Sequence, residues 1–312
     1  MSFSTNIKQQ LCRLPFEAQG CMRAELAGML AAAAVITKER AVISFCLTTE
    51  SPAVAGRLHH LTRLMYSTGL NVQIDKNKYF GKKRLYHVIC DDDSLARQIL
   101  KDARILKQQD DGPDLYALQV PPYFLSRQRY IKHYMRGVFL AAGSASNPQK
   151  NYHIEMVGRH DAFLKNIGDI LSEYDIRTII GERKGTAVLH IKESASVVTF
   201  LGFIGAHKAL LEIENVRIMK DMRNGVNRQV NCDVANLQKT TDAAYSQLDH
   251  IQKIKNKCGL DHLSPGLRQI AELRMLNPDV SIKELGELMV PPIGKSAAYH
   301  RLEKIKKIAQ DC

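Results

Sequence analysis

The chain has 312 residues, and 44 Lys+Arg against 32 Asp+Glu give a formal charge of +12. Hydrophobic residues make up 45%, enough for a buried core, and the length suggests about two domains. No apolar run approaches the ~20 residues of a bilayer span, and Met1-Ser-Phe-Ser-Thr lacks the regions of a signal peptide. A membrane protein, a secreted scaffold and a disordered tail are all disfavoured, and a cytoplasmic protein is expected.

After an N-terminal segment (1–21), residues 22–37 read as a helix of small residues, Ala41–Leu47 as a strand, and Ser51 to about Thr68 as a helix. Two alternating runs, Leu70–Ile74 and Leu85–Ile89, flank Lys76, Lys78, Lys82, Lys83 and Arg84 with Gly81 between them. This spacing predicts a β-hairpin with a basic tip. Such a ribbon can neutralise phosphates in a groove, although a solvated tip has the same composition. A helix over Ser94–Leu106 and a loop over Gln108–Pro122 follow.

The second half repeats the order: a small-residue helix (129–143), a strand (Tyr152–Val157), a helix (Asp161–Glu173), two strands (Asp175–Ile180, Thr186–Ile191) and a helix from Ser194. The expected architecture is α+β, an αβαββα unit occurring twice with pseudo-symmetry, with halves at 22–125 and 126–205. Gly28, Ala27, Ala31, Ala32 and Ala34 in one helix, and Gly137, Ala141, Ala142 and Gly143 in the other, leave little side chain between two backbones. The pair resembles the LAGLIDADG fold, in which such helices form the seam between two halves. In nucleases of that fold an acidic residue near each motif's end holds a catalytic metal. Here those positions are Ala33 and Ala142, and alanine offers no oxygen ligand to Mg²⁺. The resemblance implies the scaffold, and the two alanines argue against hydrolysis, leaving a residual metal-dependent nuclease as the disfavoured second alternative.

No Cys-x-x-Cys occurs among the seven cysteines, and no His lies at zinc-ligand spacing beside them. No metal, cofactor or small-molecule substrate is expected. The absence of Trp and the 6% aromatic content weigh against base stacking on single strands. The positive excess is spread along the chain, which suits a protein lying on a polyanion.

From Ala206 the pattern is helical, giving a connector over 206–262. Arg217, Lys220 and Arg223 recur at three-residue steps on one broad face, and Arg228 adds a fourth cation suited to phosphate. The nearby asparagines fit either DNA contact or bracing of helix junctions. Residues 263–312 read as a helix-turn-helix unit. Ser264-Pro265 opens the first helix, and Ser281 with Glu284 forms a capping box at the second. After the turn Val290–Gly294 comes a third helix, whose Ala298, Leu302, Ile305 and Ala309 define a buried stripe. Lys295, Ser296, Tyr299, His300 and Arg301 are the candidates for base edges, with Lys304 and Lys307 on phosphates. A plain three-helix bundle with a solvated basic face is the competing explanation.

Phe200–Arg217, Met222–Leu237, Lys283–Leu288 and Pro291–Ser296 with His300–Leu302 together resemble the WhiA family over essentially the whole chain. That resemblance implies a bacterial, nucleoid-associated protein that binds double-stranded DNA through its helix-turn-helix, with a possible protein partner. It implies a role in cell division and chromosome segregation, or alternatively in sporulation-type transcription regulation. Tyr299 stands where the family commonly has Asn, a side chain suited to adenine. Lys (24) slightly exceeds Arg (20), a balance that leans towards the division role.

Overall fold

In the computed structural model, residues 2–75, 84–107, 115–116, 119–158 and 160–311 are described. Two compact units emerge, Met1–Ile218 and Met219–Cys312. The N-terminal segment contributes a helix, α1 (Phe3–Cys12), capped by the Ser2 hydroxyl on the Thr5 N–H and burying Phe3, Ile7 and Leu11. The first half then runs α2 (Gln19–Ala33), β1 (Ala34–Glu39), β2 (Val42–Thr49), α3 (Pro52–Tyr66), β3 (Asn71–Asp75), β4 (Leu85–Cys90) and α4 (Asp93–Asp102). A short pair, β5 (Leu106–Lys107) and β6 (Leu115–Tyr116), and a turn of helix, α5 (Pro122–Leu125), lead to the second half. That half comprises α6 (Gln128–Ala142), β7 (Gly143–Ala145), β8 (Ile154–Gly158), α7 (Asp161–Ser172), β9 (Ile179–Arg183), β10 (Thr186–Ile191) and α8 (Ser194–Ile204).

The repeat is therefore αββαββα, one strand richer per half than the expected αβαββα. In both halves the chain leaves the small-residue helix directly as a strand, at Ala34 and at Gly143. The missed strand β1 carries Val35, Ile36 and Thr37, whose apolar spacing also suits a helix, and β7 is only three residues long. Two further boundaries move. The helix expected to reach Leu106 ends at Asp102, followed by a left-handed Arg104 (φ 59°). The strand expected from Asp175 begins at Ile179, after Asp175 itself turns left-handed (φ 58°).

Each half forms a four-stranded antiparallel sheet with the same order, β1-β2-β4-β3 and β7-β8-β10-β9. One face of each sheet is apolar: Ile43, Phe45, Leu47 and Val88 in the first, Ile154, Met156, Leu189 and Ile191 in the second. Residues between them point the other way, as strand alternation requires. Between the halves lie α2 and α6, packed along their lengths. A buried ionic cluster crosses this region. Arg57 of α3 donates to both carboxylate oxygens of Glu25 (2.7 and 3.0 Å), and Arg136 of α6 approaches the same carboxylate at 3.5 Å. The spare guanidinium groups are used on carbonyls, Arg57 on Cys12 (3.3 Å) and Leu14, and Arg136 on Ile204 (2.7 Å).

A single helix, α9 (His207–Lys257), runs from one unit into the other. Ala209, Ile213 and Val216 are buried in the first unit, and Ala244, Ile251 and Ile254 in the second, whereas residues 221–240 are exposed all round. The second unit closes with a 3₁₀ turn (Leu260–His262), α10 (Pro265–Leu276), α11 (Ile282–Glu287) and α12 (Lys295–Asp311). No helix of the described residues is long and apolar enough to cross a membrane.

Candidate nucleic-acid interface

The three C-terminal helices enclose a small core of Ile270, Ala271, Leu285, Met289, Ala298, Leu302 and Ile305. Ser264 occupies the N-cap of α10, but its side chain makes no capping bond, so the expected cap is backbone geometry with Pro265 alone. The capping box of α11 is fully formed. The Ser281 hydroxyl accepts from the Glu284 N–H (3.3 Å), and the Glu284 carboxylate accepts from the Ser281 N–H (2.8 Å). That backbone donor holds the Glu284 carboxyl below its ordinary range.

Two features absent from the sequence-based expectation fix the turns. Arg274, 1% exposed, donates to the carbonyls of Asn277 (3.4 Å), Pro278 (3.4 Å) and Val280 (2.7 Å). It ties the α10–α11 corner from inside, and burial lowers its pKa. At the next corner the Ile293 N–H donates to the Gly286 carbonyl (2.9 Å). A Cβ on Gly286 would lie 2.5 Å from the Ile293 carbonyl oxygen, so only glycine allows this approach.

With α12 seated by Ala298, Leu302 and Ile305, its other side is open. Lys295, Ser296, Tyr299, His300, Lys304 and Lys307 are all exposed, which places six of the seven expected contact residues on solvent-facing surface. Arg301 is different. It is half-buried, and its Nη1 donates to the Gly266 carbonyl (3.4 Å) and approaches the Met289 sulfur (3.5 Å). The guanidinium expected at base edges is thus turned back onto α10.

The other expected cations are spread out. Arg217 pairs with Glu214 on its own helix (3.0 Å), and Lys220, Arg223 and Arg228 lie on the same continuous helix, the last two exposed. In the hairpin only Arg84 is described, and it is exposed; Lys76, Lys78, Lys82 and Lys83 lie outside the described residues. Ala33 and Ala142 are the final residues of α2 and α6, where the strands begin. Among the described residues, side chains whose ligand atoms approach closely enough to share a cation occur as two groups, and neither includes these helix ends.

Comparison with known proteins matches the chain in three segments: a WhiA N-terminal LAGLIDADG-like domain at 19–106, a WhiA LAGLIDADG-like domain at 131–223 and a WhiA C-terminal HTH domain at 226–309. A probable cell division protein WhiA of Alkaliphilus metalliredigens is 38% identical over 310 residues, 99% of this chain and 98% of the relative. Its counterpart in Clostridium acetobutylicum is 38% identical over 312 residues, 100% and 98% of the two chains. The crystal structure of full-length WhiA from Thermatoga maritima superposes with a TM-score of 0.62 at 25% identity, covering 100% of this chain and 99% of that one. The α+β LAGLIDADG-like fold followed by a helical HTH region is common to them, and by descent as well as by fold the chain belongs to the WhiA family.

Proposed function

We propose that this chain is a non-catalytic DNA-binding protein that acts in cell division and chromosome segregation, associated with the nucleoid in the cytoplasm. The observation that carries the reading is the open side of α12, where Lys295, Ser296, Tyr299, His300, Lys304 and Lys307 are exposed opposite a buried stripe. A recognition helix presents its N-terminal side chains to base edges and its later cations to phosphates. The family's HTH description supports the DNA-binding part of this reading, and the names of the relatives support the cell-division part. In this reading residues 22–205 form the LAGLIDADG-like domain, 206–262 the connector and 263–312 the DNA-binding domain. Hydrolysis is disfavoured because alanine at 33 and 142 supplies no oxygen to a metal.

The test is duplex binding by fluorescence anisotropy over a range of salt. Replacing Lys304 and Lys307 together by Ala should lower affinity and flatten the log–log salt dependence by about two units, one for each phosphate contact. Unchanged affinity and slope would sink the assignment. Plasmid nicking by the purified protein with Mg²⁺ or Mn²⁺ would overturn the non-catalytic part. Mapping bound loci in cells then separates a segregation role, with sites spread over the chromosome, from a sporulation-type regulator confined to promoters.

A further inference from the structure

On the outer face of the second sheet, three side chains meet that the proposed DNA contacts do not use. His153 immediately precedes β8, Glu155 follows two residues later on the same face, and His190 of β10 is the cross-strand partner of Glu155. His153 Nε2 and His190 Nδ1 lie 3.0 Å apart, and Glu155 Oε1 stands 3.6 Å from the first and 3.7 Å from the second. The point in the plane of these three atoms that is equidistant from them lies about 2.0 Å from each, close to the ordinary bond length of Zn²⁺ to imidazole nitrogen and carboxylate oxygen. The first sheet has no counterpart, because the equivalent cross-strand pair there is Cys46 with Ile89.

We propose that His153, Glu155 and His190 form a binding site for a divalent transition metal of the zinc class, with a fourth position open to water. Two nitrogens and one oxygen suit Zn²⁺ and its neighbours rather than Mg²⁺, which takes oxygen ligands in octahedral array. The side chains are 19%, 22% and 16% exposed, which leaves room for solvent at the fourth position. The supporting groups are in place. Arg183 Nη1 approaches the other carboxylate oxygen, Oε2, at 3.5 Å, so Oε1 remains for the metal. Gly181 on β9 gives the His190 ring its space, since a Cβ there would lie 3.2 Å from Nε2. Burial pushes the His190 pKa down despite Glu155, with His153 and Lys192 acting in the same direction. The metal-free state holds the two rings together by one shared N–H···N bond, which binding replaces.

The other close group, Glu17, Cys21 and His133, is less apt. Burial raises the Cys21 pKa, and a thiol must lose its proton to ligate.

The test is calorimetric titration of the full-length chain, freed of metal by chelator, with Zn²⁺, together with the absorption spectrum of the Co²⁺ form. One Zn²⁺ per chain is expected, retained in excess Mg²⁺. The Co²⁺ spectrum should show visible d–d bands without a thiolate charge-transfer band. Affinity should fall at least about 100-fold in His190→Asn and in the isosteric Glu155→Gln, beyond what loss of a supporting group usually costs, and be unchanged in Cys21→Ser. Glu155→Gln decides the matter if His190→Asn fails to fold by circular dichroism. Absence of Zn²⁺ binding, unchanged affinity in Glu155→Gln, or loss of binding in Cys21→Ser would each overturn the proposal.

Discussion

Gly28 of α2 lies directly against the main chain of Tyr134 in α6. A Cβ on Gly28 would sit 2.1 Å from the Tyr134 carbonyl oxygen, and the reciprocal contact has the same dimension, Gly137 against the carbonyl of Glu25. The two helices touch through backbone at both points, so the obstacle cannot move aside by changing rotamer. Gly28→Ala or Gly137→Ala should therefore force the helices apart and cost about 3 kcal/mol, the upper end of ordinary overpacking. Gly56, in the second turn of α3, has nothing within 4 Å of a built Cβ. Gly56→Ala should stabilise by about 0.5–1 kcal/mol through helix propensity. Urea unfolding of the three variants measures the contrast, and equal effects at Gly28 and Gly56 would contradict it.

The carboxylate of Glu25, 1% exposed, sits between two buried guanidinium groups. Glu25→Gln removes the negative charge and leaves Arg57 and Arg136 facing each other without it. The expected loss is about 3–5 kcal/mol, the usual cost of breaking a buried pair from one side. Denaturant midpoints would show it, and a loss below about 1 kcal/mol would mean that the carbonyls of Cys12, Leu14 and Ile204 suffice to hold both arginines.

The close seam was legible because Gly and Ala at helical spacing have one obvious structural use, the near approach of backbones. The stripe of α12 was legible for a similar reason: Ala298, Leu302 and Ile305 recur at a period that only a helix satisfies. Charged side chains read poorly. Arg57, Arg136 and Arg274 count as surface cations in any sequence inventory, yet all three are buried on carbonyl oxygens that only the folded chain brings near. Arg301 carries the same ambiguity in milder form. Strand pairing hid the rest. His153 and His190 are 37 residues apart, and their approach depends on the register of β8 with β10.

The capping box of α11 should make the stability of the second unit depend on acid. The Ser281 N–H holds the folded-state pKa of Glu284 below its unfolded value. The stabilisation is therefore complete above the unfolded pKa and disappears as pH falls through the folded one. Wild type should melt above Glu284→Gln at neutral pH, with the gap in Tm narrowing steadily below the ordinary carboxylate range. A gap independent of pH would show that hydrogen bonding by the amide replaces the carboxylate in full.

Arg301 and Lys304 are three residues apart on α12, but their surroundings predict different phenotypes. Arg301 donates to the Gly266 carbonyl and packs beside Met289, so Arg301→Ala should lower the stability of the second unit by about 1 kcal/mol. Any loss of DNA affinity should then be partly recovered at lower temperature. Lys304 is exposed, and Lys304→Ala should leave stability within about 0.5 kcal/mol. It should weaken binding equally on all sequences and flatten the salt dependence by about one unit. His300, exposed near the start of the same helix, should give a third pattern, in which His300→Ala retains stability and salt slope but narrows the preference between specific and random duplexes. Thermal melts combined with salt-dependent anisotropy on the two duplexes distinguish the three. A salt slope altered by His300→Ala and not by Lys304→Ala would reverse the roles assigned along the helix.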